Sequence, residues 1–317
     1  MEDDEFRRQF DAVLAVVCRR VGVQVRGAEL LRLNSNAVFA LPSAGLVVRI
    51  STNLAALDRI TASLKVTAWL AESGFPCTAP APVTGQPFTI DGRVASVWRY
   101  VPEAAGSPAS AGDLARLLRD LHSRPLPPSP PGTLTDPLAN VAAALKSAPP
   151  GALPLRDRDW LAGQIAELRG KWAELRFPHS PTLIHGDAHP GNLIRAPRGA
   201  VVLGDWDHVA TGPPEWDLAQ VHYTSRRLGY PAREDVEGFG AAYGWDIRDW
   251  PGIEILVAVR EVSGLSPYVR NACAQPFARR ELAMRIGTLQ AGDHFARWNR
   301  PGSAAPRQAQ AHPGPSG

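Results

Sequence analysis

Asp187, Asn192, Asp205 and Asp207 lie close together between Thr182 and Ala219, a stretch in which an apolar run twice ends in a polar cluster. Leu183-Ile184 leads into His185-Gly186-Asp187, and Val201-Val202-Leu203 leads into Gly204-Asp205-Trp206-Asp207. Short β-branched runs bounded by glycine read as buried strands. Arg198-Gly199 supplies a turn between them, so the two runs read as a hairpin that delivers carboxylates to one end. Acids gathered beside an apolar core are costly unless a cation or hydrogen bonds compensate them. A divalent metal is the natural compensator. The chemistry that suits this arrangement is phosphoryl transfer, in which a hard metal neutralises triphosphate oxygens and one hydroxyl is oriented for in-line attack.

The spacing sharpens that reading. Asp187 and Asn192 stand five residues apart, the offset of base and metal ligand in the D-x-x-x-x-N pattern of kinase catalytic loops. Asp205 follows thirteen residues after Asn192, where a second metal-binding acid would come. The order H-G-D-x-H-x-x-N, then a hydrophobic-D-W-D segment, then W-D-L-A resembles the aminoglycoside phosphotransferase and choline kinase family. The match fixes several residue types in order over about 35 positions and is looser elsewhere.

The resemblance implies an α+β, two-lobed protein-kinase-like fold with a small antiparallel-sheet N-lobe and a larger, mainly helical C-lobe. It implies Mg²⁺ and ATP, with GTP as the alternative nucleotide, and a small-molecule hydroxyl as acceptor: an aminoglycoside or other antibiotic, an amino alcohol or a sugar. Asp187 would be the catalytic base, or the acceptor that orients the substrate hydroxyl. Asn192 would give Mg²⁺ a neutral oxygen and Asp205 an anionic bridge. Asp207 is either a second metal ligand or a carboxylate on the substrate side. His185 and His189 would pack and hydrogen-bond the catalytic loop, and Asp217, opening a helix after Pro213-Pro214, would brace it.

The elements that must position these groups follow in chain order. Residues 3–21 carry apolar side chains at helical spacing. Strand-like pieces come next at Glu29–Leu33, Val38–Leu41 and Leu46–Ile50, the last two joined by a turn at Pro42–Gly45. Asn34-Ser35-Asn36 is a polar turn that the resemblance makes the nucleotide-binding loop. Arg49 stands where the family places a lysine that pairs with nucleotide phosphates; read alone it is an exposed strand arginine. The helix Leu54–Glu72 should supply a glutamate to that cation, yet the expected position falls near Ser63, and the segment's acids are Asp58 and Glu72. Asp91-Gly92 marks a hairpin between Phe88–Ile90 and Arg93–Val101. Its second strand ends in Trp98-Arg99-Tyr100, which the resemblance makes the hinge whose backbone binds adenine. Residues 1–101 thus read as the nucleotide-binding lobe and 102–300 as the catalytic and substrate lobe, with the boundary between Val101 and Ser110. In the second lobe, helices are expected over Ala109–His122, Arg156–Leu175, Asp217–Arg227, Glu234–Tyr243, Pro251–Val262 and Pro276–Trp298, the last as one helix or a pair. The Pro/Gly/Ala/Gln composition of 301–317 predicts a disordered tail.

Composition sets the outer bounds. A chain of 317 residues, 44% apolar and 21% charged, is an ordinary globular sequence with length for two lobes. Net charge is +3, and the only lysines are Lys65, Lys146 and Lys171, with no dense basic run, so a nucleic-acid partner finds no support. Three scattered cysteines (Cys18, Cys77, Cys273) build no disulfide framework. No signal region or transmembrane-length apolar run appears, which predicts a cytoplasmic protein without a membrane partner. Residues 234–261 hold seven acids against Arg248 and Arg260, which suits either a polycationic substrate or a solvated helical face.

Two rival functions draw on the same residues. His185, Asp187 and His189 with Asp205, Asp207 and His208 could form a dinuclear metal hydrolase site, though this leaves Asn192 and the N-terminal lobe unexplained. A nucleotide-binding pseudokinase is favoured by Arg49 and the missing helix glutamate, and opposed by the intact Asp187, Asn192 and Asp205.

Overall fold

Residues 2–33 and 36–299 are described by a computed structural model of the chain, so Asn34, Ser35 and the tail expected at 301–317 lie outside the described residues. Helix α1 (Glu2–Val21) buries Phe10, Val13, Leu14 and Val17, the spacing of a single helical face. Strands β1 (Glu29–Leu33), β2 (Asn36–Leu41) and β3 (Leu46–Ser51) follow, then α2 (Leu57–Glu72), β4 (Phe88–Ile90) and β5 (Arg93–Arg99). The five strands form one antiparallel sheet in the order β1-β2-β3-β5-β4. Asp91 and Gly92 between β4 and β5 both have positive φ (46° and 74°), the signature of a two-residue type I′ turn.

Side-chain alternation sorts the two faces of this sheet. Val48, Ile50, Ala95 and Val97 share a core with α1, whereas Val94 and Trp98 pack against Ile60 and Leu64 of α2. Arg49 pairs in register with Ser96, so it stands on the α2 side. Further along α2, Val66 and Leu70 belong to the large core of the second lobe, so this helix ties the lobes together.

The C-terminal lobe is mainly helical. It begins with α3 (Ala111–Ser123), α4 (Ala139–Ser147) and α5 (Leu155–Glu174). A capping box of Ser110 and Asp113 starts α3. Four three-residue strands come next: β6 (Thr182–Ile184), β7 (Leu193–Arg195), β8 (Val201–Leu203) and β9 (Ala210–Gly212). The chain continues through α6 (Glu215–Leu228), α7 (Arg233–Glu237), α8 (Phe239–Tyr243), α9 (Ile253–Ser263), α10 (Ser266–Asn271) and α11 (Pro276–Gln290). The architecture is α+β and two-lobed, an antiparallel sheet followed by a larger helical lobe. Among the described residues, no helix is long and apolar enough to cross a membrane.

The strand pairing differs from the expected hairpin. Arg198 and Gly199 do turn the chain, with φ of 68° and 86°, but the strand that precedes the turn is β7, and β7 pairs with β8. Strand β6 pairs instead with β9. Residues 185–192 between β6 and β7 form the loop that carries Asp187, so the nearest partner of β8 along the chain is β7. Helix α4, the short α10 and the break at Gly238 between α7 and α8 were not anticipated. Helix α11 stops at Gln290, and Gly292 follows with φ 64°. The chain then runs back over α6, where the Trp298 N–H donates to the Arg227 carbonyl at 2.6 Å.

Candidate active site

The loop after β6 is held from behind by the first turns of α6. Asp217 is fully buried and accepts hydrogen bonds from the backbone N–H groups of His185 (2.7 Å) and Gly186 (2.8 Å), with His122 Nε2 at 3.2 Å. Burial alone would push the Asp217 carboxyl up. The His122 hydrogen bond, with a smaller contribution from the Arg260 charge, outweighs it and holds the pKa below the usual carboxylate value. Arg260 of α9 donates to the carbonyls of Gly186 (2.9 Å) and Trp216 (2.7 Å), with its guanidinium 3.6 Å from the centre of the Trp216 ring. Burial lowers its pKa to about 10, against the opposing pull of Asp187 and Asp217.

Gly186 is required where it stands. Its φ is 85°, and a Cβ there would lie 2.0 Å from the carbonyl oxygen of His208. His185 is fully buried against the Trp206 ring. Its Nε2 faces the Gly204 carbonyl at 2.8 Å, a group that can only accept, so the proton sits on Nε2. Its Nδ1 accepts from the Asp187 N–H at 3.3 Å. Both ring nitrogens are therefore used inside the loop.

Asp187 projects from this frame. Gln220, one turn beyond Asp217 on α6, donates to Asp187 Oδ1 at 2.6 Å, and His189 Nε2 lies 4.0 Å from Oδ2. The Asp187 side chain is 34% exposed, so one oxygen is held and the group still reaches solvent. His189 Nδ1 accepts from the Gly191 N–H, which leaves its proton on Nε2, toward Asp187. Burial depresses the His189 pKa, and the Asp187 charge only partly offsets this. Asn192 donates from Nδ2 to the Asp187 carbonyl at 2.9 Å, which turns its amide oxygen elsewhere. The Gly204 N–H donates to the Asn192 carbonyl at 2.8 Å and brings Asp205 alongside.

Between the lobes lies a cleft of about 350 Å³. Val38, Val47, Ile194 and Trp206 give it apolar walls, and Trp98-Arg99-Tyr100-Val101 runs along it. Arg32, Arg49, Asn192 and Asp205 also line it. Asp205 sits in the left-handed region (φ 59°) and meets Arg49 at 3.2 Å and Arg32 at 3.3 Å. Burial would raise its pKa, but Arg49 and Arg32 together hold it below the ordinary value. Asp207 faces Arg49 (2.7 Å) and the Asn36 amide (3.2 Å).

The donor set suits Mg²⁺. Asp205 offers a carboxylate and Asn192 an amide oxygen, and Mg²⁺ is usually held by one or two protein oxygens plus water and phosphate. Among the described residues, no three His, Cys, Asp or Glu side chains come together as a metal-holding group. Three of the seven acids of 234–261 pair closely with arginine. Asp246 pairs with Arg248, Glu254 with Arg226 and Glu261 with Arg227, the last pair buried.

Asn192, Asp205 and Arg49 thus line the cleft, Asp187 and His189 adjoin it through the Asn192 hydrogen bond, and Asp207 adjoins it through Arg49. Trp98, Arg99 and Tyr100 line the same cleft, and Asn36 reaches Asp207. Gln220, His122, Arg260 and Arg32 escaped the sequence reading. Only Gln220 had a local signal, its three-residue spacing from Asp217 on one helix.

No curated protein matches the chain. Many solved structures share its fold, three of which follow. The GDP and kanamycin complex of APH(2")-IIia aligns at TM-score 0.65 with 16% identity, over 89% of this chain and 99% of that one. Choline kinase LicA from Streptococcus pneumoniae gives the same score, identity and coverage. Amicoumacin kinase hAmiN in complex with AMP-PNP, Ca²⁺ and Ami aligns at 0.64 with 14% identity, over 86% and 90%. The sequence profile of the phosphotransferase enzyme family matches residues 28–256, from β1 into α9. That span takes in both the sheet and the Asp187 loop, and by it the chain belongs to the phosphotransferase enzyme family.

Proposed function

We propose that the chain transfers the γ-phosphate of ATP or GTP to a hydroxyl of a small molecule, with Asp187 as catalytic base. The observation that carries this is the placing of Asp187. Its loop is pinned by Asp217 and Arg260, and Gln220 holds one carboxylate oxygen. Asn192 and Asp205 stand next to it at the cleft. In the reaction, the acceptor O–H gives its proton to Asp187 as its oxygen bonds to the γ-phosphorus. The bond from that phosphorus to the β–γ bridging oxygen breaks, and the nucleoside diphosphate leaves. Positioning is most of what the protein contributes in such a loose transition state. Mg²⁺ on Asn192 and Asp205 would neutralise the phosphate oxygens. Arg49 would pair with the same phosphates in the role of the family lysine. The N–H groups of Arg99 and Tyr100 already donate to the carbonyls of Ala79 and Gly45, so a backbone N–H for adenine would come from a neighbour such as Val101, which lines the cleft.

The test is thermal unfolding with Mg²⁺ plus ATP or GTP, followed by ³¹P NMR of mixtures with aminoglycosides, other antibiotics, amino alcohols and sugars. A nucleotide that binds the native state raises the melting temperature by mass action. We expect a Mg²⁺-dependent nucleotide shift and a new phosphomonoester signal with one acceptor class. No nucleotide shift overturns the proposal. A shift with no transfer to any acceptor favours the pseudokinase reading.

A further inference from the structure

Arg49 lacks the partner that a phosphate-pairing strand cation would draw from α2. The face of α2 turned to the sheet carries Ile60 and Leu64. Its acids, Asp58 and Glu72, are exposed near opposite ends of the helix. Where a helix carboxylate would reach toward Arg49 there is instead a cavity of about 10 Å³, bounded by Arg49, Ile60, Ser96 and Asp207 among others. The buried hydroxyl of Ser63, the next inward residue of α2, has no hydrogen-bond partner among the described residues. The acid in contact with Arg49 on this side comes from the other lobe. Asp207 Oδ2 accepts from Arg49 Nη2 at 2.7 Å, shorter than the 3.2 Å contact of the same nitrogen with Asp205. Asp207 is 9% exposed and is itself fixed by the Asn36 amide of β2.

We infer that Asp207 is the positioning residue of Arg49, supplying from the D-W-D segment the carboxylate that α2 lacks, and that it is not a ligand of the metal. A guanidinium bound on one edge by Asp207 keeps its remaining N–H groups aimed at the cleft, where phosphate oxygens would lie. Asp205 is then left to the metal. The arrangement also makes nucleotide binding depend on contact between the lobes, because the cation sits on β3 and its anchor after β8.

This assignment rests on Arg49 being the cation that meets the nucleotide phosphates, and the measurement separates the two ideas. Calorimetry with a non-hydrolysable ATP analogue, at fixed protein and varied Mg²⁺, yields both the nucleotide Kd and the Mg²⁺ midpoint. Wild type that binds no nucleotide defeats the phosphotransferase reading itself. Given wild-type binding, Asp207→Asn should weaken the nucleotide about 10- to 100-fold, the loss of one charge-assisted hydrogen bond, and leave the Mg²⁺ midpoint unmoved. Ile60→Glu in the same chain puts a carboxylate into the cavity beside Arg49 and should recover most of that loss. An unchanged nucleotide Kd in Asp207→Asn, a Mg²⁺ midpoint shifted as far as in Asp205→Asn, or a folded double variant without recovery each overturns the inference. The single variant decides the matter if the double variant does not fold.

Discussion

The Asp187 loop and the D-W-D segment meet at Asn192 and Gly204, yet they are held by different forces. The loop is fastened from inside one lobe. Asp217, His185 and Arg260 are at most 6% exposed, and they bond chiefly to backbone groups of the loop and its surroundings. The D-W-D segment is tied to the other lobe by ion pairs that still touch water, with side-chain exposures of 57% for Arg32, 27% for Asp205, 17% for Arg49 and 12% for Asp207. Buried networks are costly to break and indifferent to salt, whereas partly solvated pairs are weaker and screened. On the proposed function, catalytic geometry would be built into the fold, while nucleotide affinity would be set by charges that respond to ligand and medium.

The largest effect should come from the loop's working group. Asp187→Ala should lower turnover by about 10²–10⁴ while leaving the Mg²⁺-nucleotide Kd and the melting temperature close to wild type. Steady-state kinetics beside calorimetry reads this, and retained turnover removes Asp187 from the chemistry. The brace comes next. Asp217→Asn leaves a backbone donor of the loop without its carboxylate in a fully buried site, and should cost about 3–5 kcal/mol of stability. Its pH signature has a definite sign. Because the folded pKa lies below the unfolded one, the carboxylate contributes stability above about pH 4, and that contribution is lost as pH falls through the lowered value. Denaturant midpoints measured from pH 7 downward should show a shallower acid limb in Asp217→Asn. An identical limb would mean that another carboxylate governs acid unfolding.

The same contrast explains what was legible in the sequence. Asp187, Asn192, Asp205 and Asp217 stand in local patterns whose offsets survive in any register of the surrounding strands. Helices α1, α2 and α3 were legible because their apolar residues repeat with the helical period over three or more turns. Strands β6 to β9 have three residues each, too few for a period of two, so the turn at Arg198-Gly199 was readable and its strand partner was not. Helix α4 has nine residues and buries only Val141, Ala144 and Leu145, among further alanines that give little contrast between faces. His122 and Arg260 reach the loop from α3 and α9, 95 and 44 residues from their α6 partners Asp217 and Trp216. No spacing rule encodes that distance. Arg32 lies on a strand with no buried residue, where an arginine needs no special explanation.

Two variants of the cleft ought to behave in the opposite way to the brace. Asp205→Ala should raise the Mg²⁺ requirement for nucleotide binding by about 10- to 100-fold with little loss of stability, since its partners remain hydrated or turn to Asp207. Arg32→Ala is the mildest. An exposed ion pair is worth about 0–1 kcal/mol, so stability should stay within about 0.5 kcal/mol of wild type. Nucleotide affinity should fall by no more than about fivefold. That difference should shrink as ionic strength rises from about 0.01 M to 1 M and the screening length contracts from about 30 Å to 3 Å. Calorimetry at the two salt concentrations reads it directly. A loss near a hundredfold that persists at high salt would place Arg32 in close, desolvated contact with the nucleotide, and the cleft would then be built like the loop.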